Sequence, residues 1–111
     1  MNIYNKSTLK KFADKHADSR QELEAWYNDV TASRWSKPSD VTRDYSDARA
    51  VSNNRIIFKI RVNDYRLIVE MNYSKGWAFI VFLDTHEKYL KINAETVSQF
   101  RPKKSTKQMR K

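Results

Sequence analysis

Cysteine is absent from these 111 residues, which hold only two histidines, two prolines and a single glycine. Without Cys there can be no disulfide framework, thiolate metal site or cysteine nucleophile, which fits a reducing compartment. Two His with no Cys also argue against a structural metal. No apolar run approaches the roughly 20 residues that span a bilayer, and the opening stretch from Met1 to Phe12 lacks the apolar block of a signal peptide. A soluble, cytoplasmic protein with no cofactor and no membrane partner is therefore the expectation. A chain of this length is expected to form one domain that buries its core without covalent staples.

What the chain has in excess is positive charge, a formal net of +9. It is unevenly spread. Residues 1–100 carry 16 Lys and Arg against 13 Asp and Glu, a net of +3, whereas 101–111 add six Lys and Arg and no acid. The expected organisation is a single domain over 1–100 followed by a basic, flexible tail over 101–111. Such a tail attracts polyanions without sequence preference and in a salt-dependent way, so RNA or a ribosome-like surface is the first partner to consider. A merely solubilising end is an equal reading of the tail taken alone.

Along the chain the hydrophobic period changes once. Ile3 and Tyr4 suit a short first strand, and Ser7 or Thr8 can then cap a helix whose apolar positions are Leu9, Phe12 and Ala13. Ser19 to Glu22 fits a capping box that opens a second helix to about Ser33, with Leu23, Trp26, Tyr27 and Val30 on one stripe. Trp26, Tyr27 and Trp35 are read as core, and His16 as a favourable charge at a helix end. Pro38 breaks the chain, Ser39 to Thr42 can form one helical turn, and an irregular link runs on through Asn53-Asn54.

From Arg55 the period is two. Ile56, Phe58, Ile60 and Val62 alternate with Arg55, Ile57, Lys59 and Arg61, and Tyr65, Leu67, Val69, Met71 and Tyr73 continue the pattern after an Asn63-Asp64 turn. With a two-residue loop Val62 would pair with Tyr65, Ile60 with Leu67 and Phe58 with Val69. Ser74-Lys75-Gly76 makes a second loop, and Trp77 to Leu83 reads as a central strand, apolar on both faces. The expected fold is α+β: two N-terminal helices packed on one face of a small antiparallel sheet, whose other face is left for function.

In that register Arg61 lies opposite Arg66, with Lys59 two positions along and Asp84 on the other side of Arg66. Like charges directly opposite each other destabilise a sheet, so the pair calls for a reason, and a bound phosphate is one. The third strand would bring Thr85-His86-Glu87-Lys88-Tyr89 to the same end. Cutting RNA without metal takes a base for the 2′-hydroxyl, cations for the phosphorane and an acid for the leaving 5′-oxygen. Imidazole serves as acid or base near neutral pH, Arg offers phosphate a bidentate fork, and Tyr can orient the 2′-hydroxyl, stack on a base or act as base. Each part has a plainer reading: His86 as a surface or capping residue, Arg61 as a solvated turn residue, Arg66 as the partner of Asp84, Tyr89 as packing.

Particular residues add a resemblance. Ala25-Trp26-Tyr27, Trp35 with Pro38, Asn54-Arg55, Phe58-Lys59-Ile60, Asn63 to Val69, Asn72-Tyr73, Phe79 to Phe82, Thr85-His86, Tyr89 and Ile92 together resemble the HigB toxin family, over about residues 9–93. The combination of N-x-Y-R-L with T-H-x-x-Y about 20 residues later carries most of the specificity. The resemblance implies a RelE-like fold and a toxin that cleaves mRNA on the translating ribosome. It also implies a cognate helix-turn-helix (HigA-like) antitoxin, through which alone the toxin would meet operator DNA. It assigns Arg66 to the phosphorane, His86 as general acid and Tyr89 to orienting or activating the 2′-hydroxyl, with Lys59 and Arg61 as phosphate contacts; Lys88 and Lys91 are taken as further RNA or phosphate contacts. Relatives often place acids beside that Tyr, where this chain has Lys88 and Leu90. The departure leaves two other readings open: a basic module that binds RNA or ribosome without cutting, and a purely structural partner.

Overall fold

In a computed structural model, which describes residues 1–100, the sheet has five strands in the order β1-β5-β4-β3-β2. The basic tail over 101–111 lies outside the described residues. The elements are β1 (Asn2–Tyr4), α1 (Ser7–Lys15), α2 (Arg20–Ala32), α3 (Pro38–Asp44), β2 (Arg49–Val51), β3 (Arg55–Ile60), β4 (Tyr65–Asn72), β5 (Trp77–Thr85) and α4 (His86–Tyr89). Where an antiparallel sheet was expected, the sheet is mixed, because β1 lies parallel to β5, with Ile3 opposite Ala78. Three helices and three strands lie between β1 and its neighbour β5, and that long connection allows the two to run in the same direction.

Both helices begin differently from their sequence signals. Ser7 is already inside α1, whose entry is shaped instead by Asn5 at φ 68° and by the Thr8 hydroxyl donating to the Asn5 carbonyl. The capping box does not close: the Ser19 hydroxyl donates back to the His16 carbonyl, and the Glu22 carboxylate accepts the Arg61 amide across the molecule. A 3-10 turn over Ala17–Ser19 leads straight into α2, and this takes Ser19 out of the extended geometry a cap needs. Pro38 stands at the start of α3, where its missing N–H costs nothing, and the segment runs for seven residues rather than one turn.

Amphipathic patterning explains the main core. Leu9 and Ala13 from α1, Leu23, Trp26 and Val30 from α2, and Val41 from α3 bury against Ile56, Phe58, Ile60, Leu67, Val69, Ile80 and Leu83. Trp26 and Trp35 are core residues, as their positions predicted, and Tyr27 is partly buried against the same cluster. The opposite sheet face is not left open. There Ile57, Ile68, Val81 and Phe82 are covered by Tyr89, Ile92, Ala94 and Val97 of the segment that follows β5. Arg55 holds that segment down: its Nε meets Glu70 Oε1 at 3.2 Å, and its Nη1 donates to the carbonyls of Ala94 and Val97 at 3.0 and 2.8 Å.

The first hairpin corrects the expected register. Ile60 pairs with Tyr65, Phe58 with Leu67 and Lys59 with Arg66, so the loop is four residues, Arg61 to Asp64. A shift of two keeps every side chain on its own face, which is why alternation alone could not see it. The second loop is also four residues, Tyr73 to Gly76, with Gly76 at φ 71°. A bulge at Val81 takes up the extra residue, so Arg66 still meets Asp84 as expected. The bulge also turns Val81 and Phe82 to the same face.

In the first loop Arg61 and Val62 both have positive φ, 55° and 57°. For a β-branched residue that conformation is strained, and Val62 is 80% exposed, so packing gains little from its side chain. Val62→Gly should stabilise the protein by about 1 kcal/mol, a rise in Tm of roughly 4–8 °C. Thermal melts of the two proteins would check it, and an unchanged or lower Tm would refute the strain.

Candidate active site

The end of the sheet where β3 runs into β4 gathers the cations. Lys59 and Arg66 are direct cross-strand partners, so a like-charge pair exists, with Lys59 in the place the sequence reading gave to Arg61. Arg61 itself sits on the turn, 3.8 Å from Asp18 and 3.7 Å from Asp64, and does not reach this cleft. The expectation that Arg61 opposes Arg66 is thus corrected by the longer loop.

Arg66 is the unusual residue. It is 6% exposed, yet its guanidinium bonds only to neutral oxygens: the carbonyls of Asn63 and Tyr65 at 3.3 and 3.2 Å, and Asn63 Oδ1 at 3.4 Å. Among the described residues no carboxylate stands within ion-pair distance of it. Burying a charge without a counter-charge is costly, and the cation over the Tyr89 ring, 5.4 Å from its centroid, offsets only part of that. Arg55, buried to the same degree, has Glu70 as its counter-charge. The contrast leaves Arg66 the buried arginine without a counter-charge among the described residues.

Tyr89 and His86 arrive by a local device. Thr85 ends β5 in extended geometry, and its hydroxyl accepts the Lys88 amide, which starts the single turn of α4. His86 and Tyr89 are then three apart on that turn and fall on one side of it. Their rings stack with centroids 6.2 Å apart and planes 24° apart. The His86 amide also donates to the Asp64 carbonyl, which ties the turn to the first hairpin loop.

The cleft in front of these groups, about 350 Å³, is lined by Asp47, Ala48, Arg49, Ile57, Lys59, Arg66 and Tyr89. Arg49, on β2, donates from Nη2 to the Tyr89 hydroxyl at 3.3 Å. The sequence reading missed this residue. Three residues of strand, in a stretch read as an irregular link, show no alternation, and only the pairing of Arg49 with Ile57 brings it to the cleft. Arg66, Lys59 and Tyr89 therefore meet, with His86 stacked behind Tyr89, whereas Lys88 and Lys91 are exposed on and just beyond α4 and line no part of the cleft.

Three cations around one phenol, with Asp47 also on the lining, have the chemistry to meet a phosphodiester. Arg66 and Arg49 can each present a fork to non-bridging oxygens, and Lys59 adds a point charge. Among the described residues no three His, Asp or Glu converge as metal ligands would. Nor, among those residues, is any helix long and apolar enough to cross a membrane.

A family model described as HigB toxin, the RelE-like toxic component of a toxin–antitoxin system, matches residues 19–92, a span that contains α2, α3, all of β2 to β5 and α4. No curated protein matches the chain.

Proposed function

Because this chain belongs to the HigB toxin family, and so is the toxin of a toxin–antitoxin system with a cognate antitoxin as partner, we propose that its cleft is the active site of an endoribonuclease that cleaves mRNA on the translating ribosome. The observation that carries the reading is Arg66, a buried guanidinium with no carboxylate partner among the described residues, opening on a cleft beside Tyr89, Lys59 and Arg49.

In the proposed reaction the 2′-oxygen forms a bond to phosphorus as the P–O5′ bond breaks, leaving a 2′,3′-cyclic phosphate and a 5′-hydroxyl. Arg66 takes the charge that builds on the non-bridging oxygens, where a preset donor is most effective. Lys59 neutralises the same group. Tyr89, its hydroxyl positioned by Arg49, orients the 2′-hydroxyl, and His86 delivers the proton to the departing 5′-oxygen. The 2′-hydroxyl proton passes to solvent water, while the neutral Tyr89 hydroxyl only orients the 2′-oxygen. The antitoxin we infer is a helix-turn-helix protein, and toxin, message and ribosome would meet in the cytoplasm.

His86→Ala tests the chemistry. A general acid contributes roughly 10²–10⁴ in rate. On induction in cells, or in a purified translation system, the variant should cut messages slower by that factor while circular dichroism shows an unchanged fold. Full activity would remove His86 from the mechanism. Growth arrest by wild type and variant alike, with messages intact, would replace the enzyme with a basic module that binds RNA or ribosome without cutting.

A further inference from the structure

Arg66 has a carboxylate directly across the ladder from it, and the two do not pair. Asp84 is its cross-strand partner on β5, where an Arg–Asp ion pair would be the expected outcome. Both oxygens of Asp84 are engaged elsewhere. Oδ1 accepts the Thr85 amide at 2.8 Å, and Oδ2 accepts Nε2 of Gln99 at 2.9 Å.

Gln99 is itself held on three sides. β1 pairs with β5 only from Trp77 to Phe79, so the edge of β5 beyond that point has free backbone groups. Gln99 takes them: its amide donates to the Val81 carbonyl at 2.9 Å, and its Oε1 accepts the Leu83 amide at 2.9 Å. With Oε1 committed to the strand edge, Nε2 faces Asp84 by the geometry of the amide group. An unmade bond at the buried Leu83 amide would be costly, so this orientation is set by the fold.

We propose that Gln99 is a positioning residue that holds the Asp84 carboxylate away from Arg66, so that the buried guanidinium keeps its charge for an RNA phosphate. The geometry stands by itself; the consequence for cleavage rests on the ribonuclease reading above. Released from Gln99, Asp84 would turn to Arg66 and form the cross-strand pair, and the site would lose its principal anion contact.

Gln99→Glu separates the two bonds of the side chain. The carboxylate still accepts the Leu83 amide, but it can no longer donate to Asp84 and repels it toward Arg66. Q99E/D84N reverses the pair, with an amide now donating from the β5 position to a carboxylate on the covering segment, and restores the net charge of the wild type. Gln21→Glu, the same change of charge on an exposed position of α2, is the control. The measurements are mRNA cleavage, binding of a single-stranded RNA oligonucleotide across a salt series, and Tm.

Losing one charge-assisted phosphate contact should weaken RNA binding about tenfold and reduce the salt slope by about 0.7. Cleavage should fall at least as far. Q99E/D84N should return both to within about threefold of wild type, while Q21E changes neither. Q99E that binds as wild type does, or a loss that D84N does not restore in a protein of unchanged Tm, overturns the role of Gln99. A wild type that binds RNA without cutting it refutes the ribonuclease reading alone, and the salt slopes then decide the matter of Gln99. A wild type that neither binds nor cuts overturns both.

Discussion

Arg66→Met is expected to slow mRNA cleavage by roughly 10²–10³ while leaving the protein as stable as before, or more so. The two effects have one cause. A buried guanidinium bonded only to neutral oxygens costs the fold desolvation energy that no counter-charge returns, so an apolar side chain of similar length removes a burden. The same guanidinium is the preset cation for the phosphorane, and removing such a donor lowers rate by roughly 10²–10³, about 3–4 kcal/mol of barrier. Arg66→Lys restores charge but not the bidentate fork and should recover only part of the rate. Cleavage assays paired with thermal melts decide it. A large fall in Tm for Arg66→Met would mean that Arg66 serves the fold, and cleavage at the wild-type rate would place the active site elsewhere.

Arg55→Met should have the opposite effect on stability. Arg55 is 4% exposed and lies on the strand next to Arg66, but its guanidinium is fully employed. It pairs with Glu70 and donates to the carbonyls of Ala94 and Val97, and so fastens the segment that covers Ile57, Ile68, Val81 and Phe82. Breaking a buried pair costs about 3–5 kcal/mol; since Glu70 is about a third exposed, solvent returns some of this, leaving about 3 kcal/mol. The corresponding fall in Tm is roughly 12–24 °C. Hydrogen exchange should show faster opening over residues 92–99. An unchanged Tm would mean that the segment is held by its apolar contacts alone. Of two buried arginines on adjacent strands, one is thus expected to carry the fold and the other the chemistry.

Stability at high pH has a source on the same strand. The Tyr65 hydroxyl donates to Asp18 at 2.6 Å, and this bond, with burial, pushes its phenol up to about 12. The folded value lies above the ordinary value of about 10, so the stabilisation is complete below pH 10 and is lost as pH rises toward 12.

The helices and strand faces were legible because they depend on local period alone. Leu9 and Ala13, then Leu23, Trp26 and Val30, recur at helical spacing, and Ile56 to Met71 alternate at a period of two, so the faces that bury follow directly. His86 and Tyr89 were expected at this end of the sheet from their place after the third strand, but the Thr85-capped turn that stacks their rings was not. The like charge across the ladder from Arg66 exists as expected in kind, although the partner is Lys59 rather than Arg61. The failures share a physical source. A hairpin shifted by two residues buries the same side chains, so apolar patterning has no preference between a two-residue and a four-residue loop. A three-residue strand such as β2 has no period to detect, and the parallel pairing of β1 with β5 depends on a partner more than 70 residues away.

By itself, then, the order of residues determined which side chains face the core and that His86 and Tyr89 come to the same end of the sheet as Arg66. Each is a consequence of spacing along one or two neighbouring strands. Only the tertiary structure decided that Arg49 reaches Tyr89, that Arg61 is turned away to Asp18 and Asp64, and that Gln99 keeps Asp84 from Arg66. These are meetings between distant parts of the chain, and a side chain's charge becomes available or spent according to which neighbours the packing supplies.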